Sequence, residues 1–139
     1  MARSWLISAD MAHSVHPNYA DIHEAKHRPI VNGGVVIKTN ANVRYATTAE
    51  TSTMLKTIAR KHAVPIQEFV VRNDSSCGST IGPILAARLG LRTIDIGCPQ
   101  LSMHSIRETA GTVDIAHAIN LFKGVFSEYM AAENSFRID

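Results

Sequence analysis

The 139-residue chain has two cysteines, Cys77 and Cys98, 21 positions apart and with no partner at metal-ligand spacing. This rules out a disulfide framework and a CxxC site and leaves two ordinary reduced thiols. No run of 18 apolar residues occurs, and Asp10, His13 and His16 break up the first 25 positions before a signal-length segment can form. Neither a membrane span nor a secretory leader is therefore expected. Charge is sparse too: 14 basic against 12 acidic residues leave a formal +2, with no block of five or six like charges. That pattern points to neither nucleic acid nor a membrane surface as a partner. Internal repeats, low-complexity stretches and an HExxH motif are all missing. What is present, 45% hydrophobic and 19% charged residues, fits one soluble, cytoplasmic globular domain or part of one, large enough to bury a core.

Reactive groups concentrate at Ser8-Ala9-Asp10-Met11-Ala12-His13-Ser14-Val15-His16-Pro17-Asn18, directly after the apolar Trp5-Leu6-Ile7. Residues 4 to 9 read as a short buried strand with Asp10 at its C-terminal end, the edge where open α/β sheets bind ligands. Asp10, His13 and His16 lie three apart, on one face of a helix or around the lip of a strand-ending loop, and carboxylate oxygen and imidazole nitrogen are both common zinc ligands. A turn aspartate followed by two exposed histidines fits the spacing equally well. From Met11 to Gly34 periodicity fades, and four histidines, two prolines and the Asn32-Gly33-Gly34 turn accumulate. An irregular connection of that length inside a compact domain is expected to shape a site.

Val35 to Lys38 reads as a second strand, with Lys38 at its end where a lysine usually meets solvent. Thr47-Thr48-Ala49-Glu50 fits a capping box with Thr47 as N-cap and Glu50 reaching back. The helix it opens carries Met54, Leu55, Ile58, Ala59 and His62 on one stripe and stops before Pro65. Ile66 to Arg72 is a buried strand and Asn73 to Gly78 a turn. Ser79 or Thr80 then caps a helix with Ile81, Ile84, Leu85 and Leu89 on one face and Gly90 as its stop. Thr93 to Gly97 alternates as a strand, and Thr112 to Met130 forms a long helix with Ile115, Ala118, Ile119, Phe122, Phe126 and Tyr129 on its apolar face. Glu133 to Asp139 reads as a tail or edge element. The alternation from Ile66 onward predicts right-handed βαβ units, hence a three-layer α/β/α fold around a mixed, largely parallel sheet.

Asp10 and His104, each just past a strand, are a natural metal pair, but two protein ligands are too few for a stable zinc site. Here the motifs become recognisable. The stretch from Ser8 to Tyr19, together with Val71-Arg72-Asn73-Asp74-Ser75-Ser76-Cys77-Gly78-Ser79-Thr80-Ile81-Gly82-Pro83-Ile84-Leu85 and Pro99-Gln100-Leu101-Ser102-Met103-His104-Ser105-Ile106-Arg107-Glu108, closely resembles the C-terminal part of the aspartyl aminopeptidase family of zinc metallopeptidases. Arg44-Tyr45-Ala46-Thr47 and Leu121-Phe122-Lys123-Gly124 agree as well, so the likeness runs in register over nearly the whole chain. The resemblance implies a cytosolic exopeptidase that removes N-terminal Asp or Glu from peptides with a two-zinc site and assembles into homo-oligomers. It makes Asp10 a ligand of one metal and His104 a ligand of the other, and it places His13, Lys38 and Tyr45 on the substrate. A lysine cation suits an acidic side chain.

The family's other parts, a histidine ligand, a bridging aspartate and a glutamate pair that includes the general base, are implied to precede this region. The chain is thus expected to be the C-terminal portion of a catalytic domain, inactive without the remainder of the same enzyme. One alternative is a non-catalytic binding domain that keeps the fold and an acidic-ligand pocket. Another is a metal-binding module built from His13, His16, His23 and His27, whose spacings fit no zinc template.

Overall fold

The computed structural model describes residues 3–136. Strand β1 (Trp5–Ala9) is followed by the short β2 (Ala12–His13), a 3-10 helix (Pro17–Ile22), β3 (Val35–Thr39), α1 (Ala49–Lys61), β4 (Ile66–Val70), α2 (Ile81–Leu89), β5 (Arg92–Gly97), β6 (Pro99–Leu101), β7 (Thr109–Ala110) and α3 (Thr112–Ser135). The main sheet has the order β1-β5-β3-β4, and a small second sheet has the order β2-β6-β7. β1 pairs with β5 and β3 with β4 in parallel, while β3 and β5 run antiparallel. The sheet is therefore mixed, as the sequence predicts.

Ile94 and Ile96 of β5 and Val35 and Ile37 of β3 face α1 and α3, packing on Met54, Leu55, Ile58, Leu121 and Val125. On the opposite face Asp95 meets the N-terminus of α2, where Gly82 leaves room for its carboxylate. These are the three layers of an α/β/α fold.

Several expectations shift in detail. The βαβ unit is β3-α1-β4; α2 instead carries the chain past β3 to a strand antiparallel to β4. Alternation of elements does not encode the direction of re-entry, which long-range pairing decides. α1 is capped by Thr48, with Thr51 completing the box, one residue later than Thr47 and Glu50, because the Thr47 hydroxyl accepts a hydrogen bond from the Asp95 N–H at 3.0 Å. Thr80 and a left-handed Gly90 bound α2 as expected, yet Ile81, Ile84 and Leu89 are exposed. In α3 the buried residues are Asp114, Leu121, Gly124, Val125, Ala132 and Glu133, whereas Ile115, Ile119 and Phe126 are exposed. The stretch from Met11 to Gly34 is partly ordered by β2 and the 3-10 helix. Residues 133–135 extend α3, and 137–139 of the expected tail lie outside the described residues.

Candidate active site

The C-terminal end of β1 delivers Asp10 to the sheet edge, as its position predicts. Its Oδ1 accepts from the Met11 N–H at 2.7 Å, and its side chain is largely exposed. Immediately afterwards β2 pairs with β6, with His13 opposite Gln100; the Ser14 N–H donates to the Gln100 carbonyl at 2.8 Å. That pairing sets the 102–108 loop, and so His104, beside the Asp10 segment. His104 takes a left-handed backbone conformation (φ 68°), and its N–H donates to the Glu108 carboxylate. His13 senses this company. Enclosure of its ring, then the charges of His104 and Lys38, lower its pKa from 6.5, with Asp10 acting in the opposite direction.

Lys38 does not reach solvent. It is 2% exposed, because β3 is the second strand from an edge and its even positions turn toward the site. The ammonium lies 4.0 Å from Asp10 Oδ2, donates to the Met11 carbonyl at 3.3 Å and sits 5.1 Å from the Tyr45 ring centroid, within cation–π range. Burial lowers the Lys38 pKa, with the carboxylates of Asp10 and Asp95 opposing it. Burial, followed by the hydrogen bond with Cys77, raises that of the Tyr45 phenol. Asp10, His13, Lys38 and Tyr45 thus share one region, with His104 on the adjoining loop.

Two supporting acids escape a reading based on pattern. Asp95, fully buried, accepts from the Ala46 N–H at 2.6 Å and the Thr80 hydroxyl at 2.5 Å, tying the Tyr45 segment to the start of α2. Asp114 accepts from the Asn32 and Gly34 N–H groups at 2.6 and 2.8 Å and closes the turn that launches β3. An acid inside the apolar Thr93-Ile94-Asp95-Ile96 was the available signal for the first. The other histidines of the 11–34 stretch disperse: His16 accepts from the Asn18 N–H, His27 contacts Glu24, and His23 packs edge-on against Phe69. A four-histidine metal module is not assembled.

Asp10 and His104 suit zinc in kind, as oxygen and nitrogen donors. Among the described residues, however, no group of three or more His, Cys, Asp or Glu is gathered to hold a metal ion. The two fit as a contribution to a centre, not as a complete one.

Residues 1–126 match the model of the aminopeptidase I zinc metalloprotease (M18) family. The chain belongs to that family. It is 57% identical to the aspartyl aminopeptidase of Aspergillus oryzae over 100% of this chain and 29% of the relative, and 58% identical to that of Dictyostelium discoideum over 93% and 27%. Among solved structures, a chain of the Ape4 and Nbr1 complex superimposes with a TM-score of 0.95 at 52% identity, covering 99% of this chain and 26% of that one. The S. cerevisiae mApe1 dodecamer gives 0.85 at 32% identity, covering 95% and 28%. The chain therefore spans under a third of the length of these relatives. Among the described residues no helix is long and apolar enough to cross a membrane.

Proposed function

We propose that residues 1–139 are the C-terminal part of a metallopeptidase catalytic domain that, in the complete enzyme, removes N-terminal Asp or Glu from peptides. Asp10 and His104 each contribute a ligand to one of two zinc ions, while His13, Lys38 and Tyr45 contact the substrate. The general base and the other ligands come from the remainder of the same enzyme. The working form is a cytoplasmic homo-oligomer whose partners include neither nucleic acid nor membrane. The aspartyl aminopeptidase names of the relatives support the substrate class, and the dodecamer of mApe1 supports assembly.

One observation carries the reading: the buried Lys38 ammonium. An ammonium has three donors, and among the described residues Met11 O, at 3.3 Å, is its one hydrogen-bond partner; Asp10 stands off at 4.0 Å. Donors remain for an incoming carboxylate in a setting where charge pairing is strengthened by exclusion of water. Tyr45 fixes the ammonium from the ring side, and His13, with its lowered pKa, borders the same site as a neutral hydrogen-bonding group at pH 7. Zinc, when bound, supplies carbonyl polarisation and an acidified water. Gathering no three-donor metal group among its described residues favours a second reading for the chain by itself: a binding domain that retains the acidic-ligand pocket without catalysis.

Titration of the chain with aspartate tests the proposal. Lys38→Met should weaken binding by roughly 10- to 100-fold, the worth of a charge-assisted hydrogen bond. Equal affinity in the variant, or vigorous hydrolysis of an N-terminal Asp peptide by the 139-residue chain alone, contradicts it. Restored hydrolysis on adding the preceding part of the Aspergillus relative separates the enzymatic from the binding reading.

A further inference from the structure

His13 has a second neighbourhood. Besides bordering Asp10 and Lys38, it lines a separate cavity of about 380 Å³ together with Ile22, His23, Phe69, Arg72 and Ser75. The volume falls in the range of small-ligand pockets. Phe69 lines it between the two histidines, with its ring 6.3 Å from that of His13 and 5.7 Å from that of His23.

The cavity presents little polar surface of its own. His23 is 8% exposed, and its Nδ1 is enclosed within the protein without a hydrogen-bond partner among the described residues, so the nitrogen is not offered to the cavity. The charged groups at the rim are already satisfied: Arg72 holds Asp74 at 2.6 and 2.9 Å and the Asp21 carbonyl at 2.9 Å, and Glu24 holds His27. Burial lowers the His23 pKa, so the ring is neutral at pH 7. The cavity is thus walled by the rings and aliphatic carbon of Ile22, His23, Phe69, Val70 and Val71, with Glu24 and Arg72 at its rim engaged by His27 and Asp74.

Resting on the acidic-peptide reading above, we propose that this cavity is the subsite for the second residue of the peptide, selecting an uncharged apolar or aromatic side chain that packs on Phe69 and the His13 and His23 rings. Successive peptide residues advance by about 3.5 Å. A first residue held at Lys38 therefore places the next one across the His13 ring, which is common to both compartments.

The test compares Asp-Phe, Asp-Gly and free aspartate binding to the 139-residue chain by NMR titration. Asp-Phe should bind about tenfold more tightly than Asp-Gly, the worth of partly burying an aromatic side chain, and should shift His23 and Phe69 signals that Asp-Gly leaves in place. Ser75→Trp, which fills the cavity, should bring the ratio to one without changing the affinity for aspartate. The wild-type shift comparison needs no variant. Equal affinities for the two dipeptides, or unmoved His23 and Phe69 signals while Lys38 and Tyr45 respond, overturn the subsite and leave the acidic-peptide reading standing. If His23 responds and Lys38 and Tyr45 do not, the acidic-peptide reading falls and takes the second-residue assignment with it.

Discussion

Lys38 and His23 are two polar side chains whose burial works against their charged forms. For Lys38 the loss of hydration is offset by one hydrogen bond to the Met11 carbonyl, by an aspartate 4.0 Å away and by an aromatic face. Replacing such a buried charge by an apolar side chain of similar volume is often neutral or stabilising. Lys38→Met should therefore leave thermal stability unchanged or raise it by about 1 kcal/mol, even as it weakens aspartate binding; a large fall in melting temperature would show that the lysine is structural. His23 acts through pH. Its folded pKa, like that of His13, lies below the ordinary 6.5, so below pH 6.5 the unfolded chain takes up more protons than the folded one. Stability from these residues is complete above pH 6.5 and drains away as pH falls toward the folded values. Urea midpoints at pH 7.5 and 5.5 should differ in that direction, and the difference should shrink in His23→Phe.

At the scale of elements, the end of β5 bears directly on Asp10. A Cβ at Gly97 would stand 1.6 Å from the Asp10 carbonyl oxygen, a backbone atom that cannot rotate away. Gly97→Ala should cost about 3 kcal/mol, at the upper end of overpacking, and weaken whatever Asp10 holds. Gly78→Ala meets nothing within 4 Å and should stay within about 0.5 kcal/mol of wild type. Thermal denaturation of the pair checks both. Elements such as these were largely legible. An apolar run ending in Asp10 predicted β1 and the place of Asp10 at its C-terminal end, and Thr80 with Gly90 predicted the limits of α2. What escaped was decided at long range. Thr47 and Thr48 offer two capping frames one residue apart, and a hydrogen bond from β5 to Thr47 selects between them. α3 carries two apolar stripes; Gly124, whose missing side chain admits the ring of His62 at the C-cap of α1, fixes the one that turns inward. Lys38 shows the same limit within the site, since its position at a strand end carries no sign of burial and only the family resemblance drew attention to it.

For the whole molecule, the outward stripe of α3 has a consequence of its own. Phe126 is 85% and Ile119 51% exposed, and they lie on the same outward side as Ile115 and Met130. Phe126 also lines, with Trp5, Ile7 and Met130, an open groove beside the edge strand β1. A contiguous apolar surface next to an unpaired strand edge favours association in water, and the relatives are more than three times as long as this chain. Light scattering on the isolated chain should accordingly show mass rising with concentration. Because these side chains bury little in the monomer, Ile119→Lys combined with Phe126→Lys should suppress that rise while each change alters stability by no more than about 0.5 kcal/mol. Leu121→Ala, on the inward stripe of the same helix, should instead cost about 2–5 kcal/mol and leave the surface responsible for association in place. If the double variant associates as strongly as wild type, the α3 groove is not the adhesive surface, and the exposed Ile81 and Ile84 of α2 become the next to replace.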